Sequence, residues 1–174
     1  MTRQENDWPD RIYDLLGRLQ LRQVAHVPDA GHKRLIELCV ADSEKKVVTL
    51  TSEEEGVGLL TGAWLGGEKG VLLMQSSGIG NCINALAMVE SCRVPLLMLV
   101  AMRGEWGEFN PWQMPMGLAV EPVLKAIHAV VPRAEAAADV VPTVEAAAGL
   151  AFNGQRAVAV LLSQRLIGSK RFAK

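Results

Sequence analysis

Short apolar runs alternate along the chain with segments in which apolar residues recur at helical spacing. The runs are rich in aliphatic and β-branched residues, which is typical of buried strands. Six runs predict strands, at 21–27, 46–50, 71–74, 94–102, 130–134 and 156–162. Six helices are predicted between and before these strands. The first begins at Pro9, the second follows an N-cap at Asp29, and the third runs from a capping box of Ser52 and Glu55 to the glycines at 66–67. The other three span 78–93, 117–128 and 141–152.

This order of elements predicts one α/β domain. Strands that alternate with helices form a parallel sheet, because each helix carries the chain back to the edge from which the last strand started. We expect a single three-layer domain, with an open, mostly parallel six-stranded sheet and helices on both faces. The nearly unbroken apolar run 94–102 predicts the strand at the sheet centre. The domain is expected to span residues 1–164, followed by a basic tail at 165–174.

The composition and net charge of the chain exclude several classes of function. The chain has 174 residues, and its 18 Lys and Arg against 19 Asp and Glu give a net charge of −1, which argues against a nucleic-acid or anionic-membrane binder. The longest apolar runs are about half of a membrane span, and the charged N-terminus has no signal-peptide core, so a cytoplasmic protein is expected. The three cysteines, Cys39, Cys82 and Cys92, are expected to be buried, reduced thiols, and no metal site is expected.

Polar residues follow four of the predicted strands. They are His26-Val-Pro28-Asp29 after the first, Glu53-Glu-Glu55 after the second, Ser76 to Asn81 after the third and Arg103-Gly104 after the fourth. Because ligands of such sheets bind beyond the carboxyl ends of the strands, a site is expected along this edge.

Each of these features also has a purely structural interpretation. The glutamates favour a helix N-terminus, Gly78 and Gly80 suit a tight turn, and Arg103 at the end of a buried strand needs a carboxylate or a ligand. His26 alone is a weak signal, and His32 and His128 are expected at the surface or at helix ends. The Trp-rich loop 104–116 is a candidate lid or subunit interface.

These pieces, in this order, resemble the pyrimidine-binding domain of thiamine-diphosphate-dependent decarboxylases. The likeness covers about Gln20 to Leu162, and its most specific parts are TSEEEGVGLLTGAWLGG, VLLMQSSGIGNCINAL, Arg103-Gly104 and QMPMG. Within this family the sequence is most similar to the alpha subunit of sulfopyruvate decarboxylase and to the N-terminal domain of phosphonopyruvate decarboxylase. The resemblance implies a carbon–carbon lyase.

The resemblance also implies roles for individual residues. A glutamate at the end of the second strand bonds N1′ of the cofactor's aminopyrimidine and promotes the imino tautomer, which removes the thiazolium C2 proton. The family spacing places this residue at Glu53, although Glu54 and Glu55 stay open. The remaining residues are implied as cofactor contacts at Pro28, Ser76, Gly78 and Asn81, and as substrate contacts at His26, Asp29, Arg103 and Gln113.

The chain also departs from full-length members of the superfamily. It has no Gly-Asp-Gly motif, which in those proteins helps to bind Mg²⁺ and the diphosphate. The resemblance therefore implies a separate beta subunit that holds this end of the cofactor, in a hetero-oligomer with homodimeric contacts and shared active sites. The implied substrate is sulfopyruvate, which yields sulfoacetaldehyde and CO₂. The alternatives are phosphonopyruvate, a non-catalytic regulatory or scaffolding homologue and, on the incomplete glycine fingerprint, a nucleotide-binding module.

Overall fold

The computed structural model describes residues 7–168, which form six strands, seven α-helices and one 3₁₀ turn. In chain order the elements are α1 (Trp8–Arg18), β1 (Leu21–His26), α2 (Lys33–Ala41), β2 (Lys46–Thr49), α3 (Glu53–Leu65), β3 (Lys69–Gln75), the 3₁₀ turn (Ser76–Gly78), α4 (Ile79–Cys92), β4 (Leu96–Ala101), α5 (Gln113–Ala126), β5 (Arg133–Ala134), α6 (Ala137–Gly154), β6 (Ala157–Leu162) and α7 (Gln164–Ile167). The predicted tail begins within α7, and its residues 169–174 lie outside the described residues.

The six strands form one sheet in the order β2-β1-β3-β4-β6-β5, and every pairing is parallel. The predicted α/β fold is therefore confirmed. All six residues of β4 are buried between β3 and β6, as the apolar run predicted. The predicted edge is also present, because β2, β1, β3 and β4 are neighbours and their carboxyl ends lie side by side.

Helices cover both faces of the sheet and enclose two apolar cores. Alternation along β4 shows the division, because successive side chains of a strand point to opposite faces. Leu97 and Leu99 pack with residues of α1, α2 and α6, whereas Met98 and Val100 pack with residues of α3, α4 and α5. The edge that carries the polar loops is thus held by a sheet that is buried on both sides.

Three helices begin three or four residues from their predicted starts, and one of them is α6, which begins at Ala137 and not at Val141. Asp29 does not cap α2, which starts at Lys33, because its carboxylate accepts a hydrogen bond from the Gly31 N–H at 3.0 Å and closes a turn. The helix predicted from Gly117 starts at Gln113. Pro115 is accommodated in its first turn, where the missing N–H leaves no helical hydrogen bond unmade.

The start of α3 matches the prediction in position and differs in bonding. Ser52 occupies the N-cap but makes no capping hydrogen bond through its side chain. Glu55 reaches back to the Thr51 N–H at 2.9 Å instead of to Ser52. Neither hydrogen bond of the predicted capping box is therefore made, and Glu55 binds the backbone one residue before the N-cap.

The cysteines divide into two classes. Cys39 and Cys82 are buried free thiols, as expected, and burial raises their pKa values to about 11 and about 12. Cys92 is exposed, so the prediction was wrong for this residue, which ends α4 on its solvent side.

Within residues 7–168 no cluster of three His, Cys, Asp or Glu side chains is arranged to hold a metal ion. No helix in that range has the length and apolarity needed to cross a membrane.

Candidate active site

Glu53 is the buried member of the three-glutamate run. It is the first residue of α3 and is 7% exposed, whereas Glu54 and Glu55 are exposed. Successive helical residues point about 100° apart, so one carboxylate turns toward the sheet edge and the next two face solvent. Glu53 Oε2 accepts a hydrogen bond from Asn81 Nδ2 at 3.0 Å, and Oε1 has no hydrogen-bond donor among residues 7–168.

Gly78 provides the space for this carboxylate. A Cβ atom at this position would overlap Glu53 Cδ and Oε1, so any residue larger than glycine would force the Glu53 side chain to move. The structure thus brings together Glu53, Gly78 and Asn81 from two separate loops. Cys82 lies nearby: burial first, and the charge of Glu53 second, raise the pKa of its thiol.

Ser76 ties this turn to the loop after β4. It is fully buried, and its Oγ accepts the Arg103 backbone N–H at 3.1 Å. The Arg103 guanidinium forms two hydrogen bonds to the Glu108 carboxylate, from Nε at 2.7 Å and from Nη2 at 2.6 Å. It also lies 5.5 Å from the centre of the Phe109 ring. The carboxylate partner predicted for Arg103 at the end of a buried strand is therefore Glu108.

Two openings flank the turn after β1. His26, Pro28 and Asp29 line one cleft of about 340 Å³ on the α2 side. Asp29 and Arg103 line a second cavity of about 160 Å³, together with Ala30, Gly31, Ala101, Ile167 and Gly168. Asp29 thus lines both openings, and Glu53 lines neither of them.

His26 is buried at the end of β1. One ring nitrogen, Nε2, lies 3.2 Å from Thr49 Oγ1, and Nδ1 has no partner. Burial lowers the pKa of His26, so the ring is neutral near pH 7. The ring therefore brings no positive charge to the cleft, and its unpaired nitrogen, Nδ1, is fully buried.

Gln113 is buried at the first turn of α5, where its Oε1 is an acceptor without a partner. The neighbouring backbone is close, because Gly104, at φ +78°, packs against the Gln113 carbonyl. A buried amide oxygen that lacks a donor is expensive, so this atom is suited to receive a ligand's N–H or O–H.

Known proteins of similar sequence show the family to which the chain belongs. No family model matches the chain. It is 34% identical over 140 residues to sulfopyruvate decarboxylase subunit alpha of Methanococcus maripaludis, an alignment that covers 80% of this chain and 84% of the relative. The chain belongs to the sulfopyruvate decarboxylase alpha-subunit family.

Two longer relatives align with part of their length, and one solved structure shares the fold. The chain is 32% identical over 117 residues to sulfopyruvate decarboxylase of Methanosarcina acetivorans and 35% identical over 100 residues to phosphonopyruvate decarboxylase of Streptomyces viridochromogenes. These alignments cover 67% and 57% of this chain but only 30% and 25% of the relatives. The fold matches a 2-oxoglutarate:ferredoxin oxidoreductase from Magnetococcus marinus with a TM-score of 0.69 at 14% identity, over 92% of this chain and 29% of that one.

The sequence analysis did not predict the contacts of three residues near the site. His32 does lie at a helix end, but it is buried, and its Nε2–H donates to the Leu99 carbonyl at 3.0 Å. Glu108 and Gln164 form a network around Arg103, in which Gln164 Nε2 donates to Glu108 at 3.0 Å. An acidic residue five positions after Arg103 was a usable signal for Glu108, whereas nothing local marks Gln164, which lies 56 residues further along the chain.

Proposed function

We propose that this chain is the pyrimidine-binding subunit of a thiamine-diphosphate-dependent decarboxylase that acts on a 2-keto acid with a second anionic group, with sulfopyruvate as the first candidate. The observation that carries the proposal is the Glu53 carboxylate. It is buried at the carboxyl edge of the sheet, with one oxygen fixed by Asn81 and the other without a donor. Oε1 is not among the fully buried unpaired side-chain atoms of the described residues, so it stays accessible and a ligand could share a proton with it.

The surroundings of Glu53 fit an aminopyrimidine ring. Gly78 leaves the carboxylate unobstructed on the side of the 3₁₀ turn, because a Cβ atom there would overlap it. Glu53 Oε1, to which no residue in the range 7–168 donates a hydrogen bond, provides an acceptor for a protonated ring nitrogen, as an aminopyrimidine requires.

In this proposal Glu53 holds a proton at the pyrimidine ring nitrogen N1′. Bound thiamine diphosphate supplies the thiazolium carbon that attacks the 2-keto group and the ring that accepts the electrons released with CO₂. Asn81 fixes the orientation of the carboxylate, and Gly78 sets its distance from the turn. Ser76 contributes indirectly, because its hydroxyl is bonded to the backbone of the Arg103 loop.

A partner subunit is part of the proposal. The relative from Methanococcus maripaludis is named as an alpha subunit, and the chain aligns with only 30% of a longer sulfopyruvate decarboxylase. The partner would bind Mg²⁺ and the diphosphate, for which the described residues offer no cluster of metal ligands. Trp106 and Trp112 are 47% and 69% exposed on the loop after β4, so they are candidate contacts for this subunit.

Phosphonopyruvate is the second candidate substrate, supported by the 35% identity to a phosphonopyruvate decarboxylase. Sulfonate and phosphonate groups are both tetrahedral anions that a guanidinium binds through paired N–H donors. The two substrates are therefore compared in the same assay.

The test is CO₂ release by the chain co-expressed with a candidate beta subunit, one encoded beside it that carries a Gly-Asp-Gly motif, with thiamine diphosphate and Mg²⁺ present. We expect turnover of sulfopyruvate, turnover of phosphonopyruvate, or both, and little activity from either subunit alone. Glu53→Gln should reduce turnover by at least about 10²-fold, because it removes the group that shares the proton.

Glu54→Gln and Glu55→Gln are matched controls, since each removes one carboxylate from an exposed position of the same helix turn. Both should retain turnover. If Glu53→Gln were fully active, the proton-sharing role would be wrong. If the intact complex decarboxylated neither substrate, the chain would instead be a non-catalytic homologue.

A further inference from the structure

Arg103 has hydrogen-bonding capacity that the protein itself leaves unused. A guanidinium carries five N–H donors. Two of those of Arg103 go to Glu108, and Nη1 makes a long bond of 3.4 Å to Gln75 Oε1. Two donors remain without a partner in the described chain, and Arg103 lines the cavity of about 160 Å³.

Glu108 holds Arg103 in this orientation. Its side chain is only 2% exposed, and it accepts hydrogen bonds from the Gly104 N–H at 3.1 Å and the Asn110 N–H at 3.0 Å. Gln164 Nε2 donates to it at 3.0 Å. Together with the two bonds from Arg103, the Glu108 carboxylate accepts five hydrogen bonds, which hold it in one orientation.

Gln164 extends this support beyond the loop. Its Oε1 accepts the N–H groups of Glu105 and Trp106 at 2.9 and 3.0 Å, and its side chain belongs to α7, whose end lines the same cavity. Arg103 thus approaches the cavity from a rigid setting, which reduces the entropy that a ligand would otherwise lose in ordering it.

We propose that Glu108 is a positioning residue, which binds one edge of the Arg103 guanidinium so that the free N–H donors receive the second anionic group of the substrate. This inference rests on the proposed function and adds the specificity device to it. The described residues form no ion pair between Asp29 and Arg103, so the free donors are not already taken. Asp29 lines the same cavity, and its carboxylate opposes anion binding there, so the attraction of the Arg103 donors has to outweigh this repulsion.

The test compares a dianionic 2-keto acid with pyruvate, which lacks the second anionic group, using the complete complex. In Glu108→Gln we expect KM for the dianionic substrate to rise about tenfold, the effect of losing one well-made charge-assisted bond, while kcat and the kinetics with pyruvate stay unchanged. Arg103→Lys keeps the positive charge but loses the paired donors and should show the same selective loss.

Glu68→Gln is the control, because Glu68 also binds a cation through both oxygens, with Lys46 Nζ at 3.0 and 3.3 Å, but lies at the amino-terminal ends of β2 and β3, away from the cavity. It should leave the ratio of the two KM values unchanged. A second readout is the Kd of 3-sulfopropionate, which has both anionic groups but no 2-keto carbon, measured by calorimetry. This Kd should also rise about tenfold in Glu108→Gln.

The outcomes separate the two proposals. An intact complex that decarboxylates neither substrate would overturn the proposed function, while the Kd still tests the role of Glu108. An active complex in which Glu108→Gln and Arg103→Lys change both substrates equally, or leave the Kd of 3-sulfopropionate unaltered, would overturn the positioning role. Equal losses with both substrates would indicate that Glu108 only stabilises the loop.

Discussion

Gly78→Ala tests whether the position of the Glu53 carboxylate determines activity. The change adds one methyl group and no charge. The backbone of Gly78, at φ −66° and ψ −21°, is accessible to alanine without strain. The whole effect therefore arises from contact with Glu53, whose Cδ and Oε1 the new Cβ would overlap.

The size of the effect follows from this overlap. An unstrained carbon contact needs about 3.5 Å, so the carboxylate must withdraw by about 1 Å. Overpacking of this kind costs ~1–3 kcal/mol, and the lower entropy of the unfolded alanine chain returns ~0.4–1 kcal/mol. We expect the free energy of unfolding to fall by ~1–2 kcal/mol. A misplacement of about 1 Å at a reacting group costs on the order of 10²-fold in rate.

The assay is urea denaturation of the chain together with CO₂ release by the complex. Gly149→Ala is the matched control, because it lies in α6 on the other face of the sheet and a Cβ there meets nothing within 4 Å. It should raise stability by ~0.5–1 kcal/mol, since alanine favours a helix over glycine, and leave turnover unchanged.

A Gly78→Ala complex that is folded and as active as the unaltered one would refute this reasoning. It would mean that the carboxylate tolerates displacement, or that it is not the group that acts. A loss of stability with full activity would separate the packing argument from the functional one.

Two further predictions concern ionisable groups. Hydrogen bonds from Arg103, and then from backbone groups, hold the pKa of Glu108 at about 2 against an ordinary 4.5. A lowered pKa contributes stability that is present above the unfolded value and is lost as pH falls from about 5 toward 2, here up to ~3 kcal/mol. Urea titrations across this range should show the loss in the unaltered chain, and a Glu108→Gln variant with the same pH slope would contradict it. In native protein a thiol reagent should modify Cys92 alone, and Cys39 and Cys82 only after denaturation; rapid labelling of Cys82 would show that the edge of the sheet opens.

The alternation of apolar runs and helical spacing was enough to predict the sheet, its parallel strands and the central place of β4. Local patterns carry this information because a strand buried on both faces has to be apolar throughout. Helix ends were less predictable. Asp29 had the chemistry of an N-cap, yet it closes a turn with Gly31, and Pro115 did not delay the start of α5. Short polar side chains can satisfy several backbone donors, and the sequence alone does not rank them.

The candidate site, like the helix ends, was predicted only in part from the sequence. The spacing of the motifs placed Glu53 at a helix start, and the run of three glutamates left the register open. Only the fold shows which carboxylate is buried, because burial depends on how α3 lies against the turn that contains Gly78. The cation at the end of β4 was visible in the sequence as a group that needs a partner, but the choice of Glu108 depends on the path of the loop after it.

The sequence by itself thus determined the class of fold, the edge at which polar groups collect and the family of the chain. The tertiary structure decided which of these groups touch, as in the contact of Gly78 with Glu53 and of Gln164 with the Arg103 loop. The physical reason is the distance along the sequence between the residues that interact. Periodicity and strand composition are set by neighbours within a few residues, whereas burial and hydrogen-bond partners depend on residues 20 to 60 positions away that meet only when the sheet is assembled.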